Sequence, residues 1–287
     1  MHNYIVYGDI EGEKALFNNV VNDLEQWKDN ITNSISNHIV FLGDLFSMYH
    51  IDESIKSIEY LLNYFEIPIK SHITPGSNSN YIYSLFDKLY ETKEIYKYKD
   101  KYPQFLSSNP TVNTCKKPIS PVVFIFGNKE VEFMKMMKYS IRNTHDLNKQ
   151  TYNGLNIRSN FIKDIRSTEP MHAFMTYEQL NILYNYLEQC IHYILDDKFL
   201  YIHCYMNFIR LPIEGKKEVK NIICGHNKGF GIFHEERKGE YMNCNIYMND
   251  LTKYDKQIPN CIYFYVHNDI IEIEKVKRFP NGQFTLK

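Results

Sequence analysis

Apolar and polar positions along the chain fall into two textures. Five short runs, Tyr4–Tyr7, His38–Leu42, Val122–Phe126, Phe199–Ile202 and Asn221–Cys224, are almost continuously apolar and rich in β-branched and aromatic residues. That texture predicts strands buried on both faces. Ala15–Trp27, Ile55–Phe65 and Tyr177–Leu195 instead space their apolar residues three and four apart, which predicts helices. Past Gly229 the pattern turns to short strands at Asn245–Met248, Ile262–Val266 and Ile270–Val276, with Asn268-Asp269 as a hairpin turn. Strands alternating with helices predict an α/β sheet covered on both faces. Residues 69–118 and 140–172 fit neither texture and are read as insertions near one rim of a single domain spanning 1–287, of the kind that forms lids or recognition surfaces.

Composition narrows the class without naming a function. The 287 residues are 44% apolar and 23% charged, which excludes collagen-like, disordered and coiled-coil chains. The formal net charge is −1, so bulk charge points to neither a nucleic-acid partner nor a membrane surface. No apolar stretch approaches the roughly 20 residues of a bilayer span, and the N-terminus lacks a signal-peptide pattern. The six cysteines contain no C-x-x-C pair, which fits a reducing compartment and argues against a disulfide framework or Cys-rich zinc module. The expectation is therefore an intracellular, cytoplasmic protein. Lysines and tyrosines are abundant and arginines few. This bias follows A/T-rich codons and is read as genome base composition, such as that of a parasite or a large DNA virus. An infected cell's cytoplasm fits the same expectation.

The chemistry lies where the apolar runs end. They lead into Gly8-Asp9-Ile10-Glu11-Gly12, Gly43-Asp44-Leu45, Gly127-Asn128-Lys129-Glu130, His203, and Gly225-His226-Asn227-Lys228. One Gly-Asp after a strand is ordinarily a turn, but five endings in metal-ligating residues form a pattern. In open α/β sheets ligands bind at the carboxyl ends of the strands, so Asp9, Asp44, Asn128, His203 and His226 are expected to converge. Carboxylates, an amide oxygen and imidazoles together suit Mn, Fe or Zn, and a shared carboxylate could bridge two ions.

In this order the segments resemble the calcineurin-like metallophosphoesterases, in the branch of Ser/Thr protein phosphatases and diadenosine-tetraphosphatase-like enzymes. The family's G-D-x-H-G, G-D-x-x-D-R-G, G-N-H-E, lone His and G-H read here as G-D-I-E-G, G-D-L-F-S-M-Y, G-N-K-E, Y-I-H-C and C-G-H-N, over roughly residues 3–270. The resemblance implies a central β-sandwich flanked by helices, with a dinuclear site at the strand ends. One metal position would take Asp44, Asn128, His203 and His226. The other would take Asp9, Asp44 and, in place of a histidine, Glu11. The chain departs from the family at Lys129, where a catalytic histidine stands, and in lacking the D-R-G arginine, whose bidentate geometry a lysine cannot copy.

The expected function is hydrolysis of a phosphomonoester or nucleotide polyphosphate by metal-activated water, with one or two divalent ions and a phosphorylated protein or nucleotide as substrate. Asp44 and Lys129 are the expected catalytic residues. Lys129 would stabilise charge, or donate a proton if its surroundings lower its pKa. An ion pair with Glu11 or Glu130 is its plain alternative. Lys228 is a candidate to replace the first metal ion with its ammonium, and a solvated loop lysine otherwise. His50 reads as a helix-start residue and His192 as packing or surface on a helix. The competing function is a degenerate phosphoesterase fold that binds a phosphorylated ligand or protein without turnover. RNA processing ranks below both, because no basic stripe with interleaved aromatics is evident.

Overall fold

The first two apolar runs form β1 (Asn3–Tyr7) and β2 (Asn37–Phe41), paired in parallel with Tyr7 opposite Phe41. The computed structural model describes residues 3–32, 37–93, 114–115, 121–142, 150–151, 153–163, 170–196, 198–204, 219–226, 232–238, 243–249, 263–267 and 270–274. β3 (Thr114–Cys115) precedes β4 (Val122–Phe124), which joins the free edge of β2 in parallel. On the other side of β1, β13 (Tyr263–His267) and β14 (Ile270–Glu274) add two antiparallel strands. His267 opposes Ile270 across that hairpin, while the expected Asn268-Asp269 turn lies outside the described residues.

A second, six-stranded sheet holds the remaining long runs. Its order is β11 (Ile232–Lys238), β12 (Asn243–Asn249), β10 (Asn221–Cys224), β9 (Phe199–Ile202), β8 (Tyr193–Asp196) and β3. β9, β10 and β12 run parallel. The two sheets face each other across a dry layer. Tyr4, Val6, Val40, Leu42, Val123 and Ile125 come from the first, and Ile194, Phe199, Tyr201 and Ile223 from the second.

The helices cover the opposite face of the first sheet. They are α1 (Lys14–Thr32), α2 (Ile51–Tyr64), α3 (Ser79–Lys93), α4 (Asn128–Arg142) and α5 (Tyr177–Gln189). Their buried residues recur at helical spacing, as in Phe17, Val20 and Leu24 or Ile55, Ile58, Leu61 and Leu62. They pack on Ile5, Tyr7, Ile39, Phe41, Val122 and Phe124. Tyr7, Phe41 and Phe124 lie in register, and their rings stack at centroid distances of 5.4 and 5.7 Å. Each such side chain contributes about 1.5–3 kcal/mol on burial. No helix among the described residues is long and apolar enough to cross a membrane.

One expectation needs correction, and the two expected insertions take definite structure where they are described. The helix expected over Tyr177–Leu195 stops at Gln189, because Cys190 turns to extended backbone (φ −64°, ψ 138°) and Tyr193 to Asp196 form β8. Apolar Tyr193–Leu195 prolongs the helical spacing and reads equally well as a strand. The expected insertion over 69–118 is integral to the core where it is described. α3 buries Ile82, Tyr83, Phe86, Leu89 and Tyr90, and residues 70–73 are held by two buried asparagines of α5. Asn181 Oδ1 accepts from the N–H groups of His72 and Ile73, both at 2.8 Å, and Asn185 Oδ1 from that of Lys70 at 3.0 Å. Finally, 140–172 contains β5 (Gln150–Thr151), β6 (Gly154–Lys163) and the start of β7 (Pro170–Thr176), a three-stranded antiparallel sheet. The hydrogen-bonded α5 N-terminus follows β7. Thr176 Oγ1 accepts from the Gln179 N–H at 3.1 Å, and Gln179 Oε1 from the Thr176 N–H at 2.9 Å.

Candidate metal centre

Parallel strands bring their carboxyl ends to one edge. β1, β2 and β4 end there in one sheet, and β9 and β10 in the other. Asp9, Asp44, His203 and His226 each place a ligating atom within 4.8 Å of the others, and the group could hold a metal ion. Asp9, Asp44 and His203 are buried, with His226 half-buried.

The loops that carry these residues are bent hard. Glu11, Asp44 and His226 are three of the four non-glycine residues with positive φ among the described residues, at 49°, 50° and 32°. Such backbone is strained in L-residues and persists where surrounding bonds enforce it. Here the Ile10 and Glu11 N–H groups both donate to the Asp44 carbonyl, at 3.2 and 2.7 Å. The His226 N–H donates to Asp9 Oδ1 at 3.1 Å. Gly43 (φ 103°) and Gly127 lie so close that a Cβ on Gly127 would strike the Asp44 carboxylate and N–H.

Glu130, whose role sequence reasoning missed, holds this corner together. Its carboxylate is fully buried and accepts from the N–H groups of Asp44 (3.1 Å), Gly127 (3.0 Å) and Phe46 (3.0 Å), and from the Tyr186 hydroxyl (3.0 Å). Burial, reinforced by Asp44, pushes the Glu130 carboxyl up to about 7, against the opposing pull of the Phe46 N–H. The signal was its place two residues after Asn128; the Tyr186 contact, 56 residues away in sequence, left none.

Histidine tautomer sets the polarity of the cluster. His203 Nδ1 lies 2.8 Å from the Leu42 carbonyl, an acceptor, and so carries the ring proton of the neutral form. Nε2 then turns a lone pair towards Asn128 Oδ1 at 3.1 Å and Asp44 Oδ1 at 3.7 Å. Asp44 Oδ1 accepts from the Lys129 N–H at 2.9 Å, but Asp44 Oδ2 is buried and has no hydrogen-bond partner among the described residues. Burial, outweighing the Lys129 N–H, pushes the Asp44 carboxyl up to about 8 in the metal-free chain, and Glu11 adds to the rise. Lone pairs converging on an unpaired buried carboxylate call for a cation.

The other expected residues are placed as follows. Asn128 begins α4 with its amide oxygen on His203. Glu11 belongs to none of the metal-holding groups among the described residues, although its charge acts on Asp44. Lys129 is half-buried. Burial would lower its pKa, but Glu132, Glu11 and Asp44 outweigh burial and raise it above the ordinary lysine value. The condition for proton donation is therefore not met, and Glu130 is committed to backbone and Tyr186 instead. His50 precedes α2 without capping it and lies 3.8 Å from Glu13. His192 is buried against Phe126, beyond the end of α5 rather than on it. Lys228 lies outside the described residues. In comparisons with known proteins, no family model, curated protein or solved structure matches this chain.

Proposed function

We propose that the chain is a metal-dependent phosphoesterase of calcineurin-like type, acting on a phosphomonoester or nucleotide polyphosphate. The observation that carries the reading is the buried Asp44 carboxylate, one oxygen of it without a hydrogen-bond partner among the described residues, gathered with Asp9, His203 and His226. A carboxylate there without a cation costs several kcal/mol, which a divalent ion offsets. The donor set, two carboxylates, two imidazoles and the Asn128 oxygen, suits Mn, Fe or Zn. A divalent ion at this edge would activate water and neutralise phosphoryl charge. In this reading Asp9, Asp44, Asn128, His203 and His226 hold the ion. Leu42 fixes the His203 tautomer, and the Lys129 ammonium faces the phosphoryl oxygens as a fixed charge.

The test is release of phosphate from p-nitrophenyl phosphate and from a dinucleoside polyphosphate, after stripping the chain and supplying Mn. Turnover is expected to need the metal. In Asp44→Asn and His226→Ala it should fall by more than the roughly 10–100-fold that losing an outer partner of a metal ligand costs. Metal binding without turnover on either substrate would overturn the enzyme reading. It would favour the binding-module alternative, to which the persistently charged Lys129 lends support, since an ammonium held above the ordinary lysine value releases its proton too weakly to act as a general acid.

A further inference from the structure

Tyr186 is fully buried in the last turn of α5, where its ring could pack without a hydroxyl. The ring meets Phe124 edge-on at a centroid distance of 5.3 Å, at the end of the aromatic row that Phe41 and Tyr7 continue. A buried hydroxyl without a partner costs stability, and this one donates to Glu130 Oε1 at 3.0 Å. The same oxygen accepts from the Phe46 N–H at 3.0 Å, while Oε2 accepts from the N–H groups of Asp44 (3.1 Å) and Gly127 (3.0 Å). A carboxylate offers about four acceptor positions, so the three backbone donors and the hydroxyl fill it. The backbone donors belong to the segments after β2 and β4, and the hydroxyl arrives from a different element. α5 is fixed along its length. Thr176 caps its start, Asn181 and Asn185 hold residues 70–73, and Lys93 Nζ donates to the carbonyls of Glu188 and Cys190 at its end. The hydroxyl is thus presented from a rigid support.

We infer that Tyr186 is a positioning residue of the metal centre: its hydroxyl fixes the rotation of the Glu130 carboxylate, which in turn holds the Asp44 and Gly127 amides and so aims the Asp44 side chain. This rests on the metal-centre reading above. The last torsion of a glutamate side chain is broad and roughly two-fold, so the carboxylate needs partners on both oxygens to keep one rotation. Without the hydroxyl, Oε1 keeps the Phe46 N–H alone. A turn of the carboxylate then loosens the Asp44 N–H, at a residue whose φ of 50° its surroundings must enforce. It also loosens Gly127, which lies directly against the Asp44 carboxylate. Tyr186 therefore acts on the ligand through Glu130, without touching ion or substrate.

The experiment uses the full chain and two variants of α5, each checked for folding by circular dichroism. Tyr186→Phe keeps the ring on Phe124 and removes one oxygen. Asn185→Ala weakens the same helix by releasing Lys70, and leaves Glu130 alone. In chelator, nitrogen–proton NMR should show the amide signals of Asp44, Phe46 and Gly127 displaced in Tyr186→Phe and unmoved in Asn185→Ala. Titration calorimetry with Mn should give a Kd about tenfold weaker in Tyr186→Phe, the low end of the loss for an outer partner of a metal ligand, and an unchanged Kd in Asn185→Ala. Electron paramagnetic resonance of the bound Mn should change its zero-field splitting in Tyr186→Phe alone. Unmoved Asp44 and Gly127 amides in Tyr186→Phe would overturn the inference. So would an unchanged Mn affinity in that variant, or equal losses in both variants; each of these results leaves the metal-centre reading standing. No Mn bound by the wild type would overturn the metal-centre reading itself.

Discussion

Asp44 should cost the metal-free protein stability, and Asp44→Asn should return it. Burial raises the Asp44 carboxyl from 3.8 to about 8. Between those values the folded chain keeps the proton and the unfolded chain has lost it. The folded state therefore binds more protons, and stability falls as pH rises, by about 1.4 kcal/mol per unit. The contribution is fully present below the unfolded value and is exhausted above the folded one. At pH 7, about three units into that window, the loss reaches about 4 kcal/mol. The asparagine of Asp44→Asn has no charge to lose. Its amide oxygen can keep the Lys129 N–H. In chelator at pH 7 the variant should melt roughly 8 °C above the wild type, at about 2 °C per kcal/mol for a chain of this size. The gap should shrink towards zero near pH 4, where both side chains are neutral. A hundredfold excess of Mn over Kd should close most of that gap without reversing the order. The wild type gains about 2.7 kcal/mol at a hundredfold excess over Kd, and the variant gains little. Calorimetry across this pH range with and without Mn measures all three quantities. A variant that melts below the wild type in chelator at pH 7, or a gap that does not change with pH, would refute the reasoning.

Three other predictions test the supports of the centre. Gly127→Ala places a methyl group against the Asp44 carboxylate and N–H, so it should abolish Mn binding measured by isothermal titration calorimetry while circular dichroism stays native. Glu130→Ala orphans the buried N–H groups of Asp44, Gly127 and Phe46; urea unfolding should show a loss of about 3 kcal/mol or more, and a loss under 1 kcal/mol would refute the role. His192 is held down to about 3 by burial and then by Lys93. Its neutral form therefore supports the fold above the ordinary value of 6.5, and that support is lost as pH falls, up to about 5 kcal/mol in all. His192→Phe keeps the ring against Phe126 and removes an Nε2 with no partner among the described residues; its stability advantage in urea should widen from pH 7 to pH 4.

The parts of this structure that could be read in the sequence are those whose cause is local. Phe199–Ile202 and Asn221–Cys224 are strands at the expected bounds, since a strand with sheet or helix on both faces must be apolar throughout. Their polar endings follow from chain direction, and four of the five ending residues share the 4.8 Å cluster while the fifth, Asn128, touches it. What could not be read depends on distant partners. Lys93 lies in a charged stretch of the sequence, yet its ammonium is buried on the carbonyls of Glu188 (3.1 Å) and Cys190 (2.7 Å). It thus caps the C-terminus of α5, where the helix dipole favours a cation. α3 escaped notice because its buried Ile82, Tyr83, Phe86, Leu89 and Tyr90 are set among polar and charged residues. The direction of the Lys129 pKa shift depends on Glu132 and Glu11, only the first of which lies near it in sequence.

The distribution of strain supplies an argument for function that composition cannot. Left-handed backbone at a non-glycine residue costs about 1–3 kcal/mol and survives where its surroundings over-determine it. Apart from Glu66, past the end of α2, the described residues place all of it at Glu11, Asp44 and His226. Each of these follows a strand and sits on the edge where the ligands converge. The Asp44 corner is fixed from several directions at once. Its carbonyl receives Ile10 and Glu11, its N–H goes to Glu130, and Gly127 passes close enough to exclude a side chain. A turn needed only to reverse the chain would relax to glycine or asparagine at such a position. An aspartate held there, in a buried cluster with Asp9 and His203, makes sense if the strain aims its carboxylate at a cation. The same rigidity leaves the carboxylates little freedom to retreat when the ion leaves, which is why the metal-free chain is expected to take up a proton at Asp44 in its place.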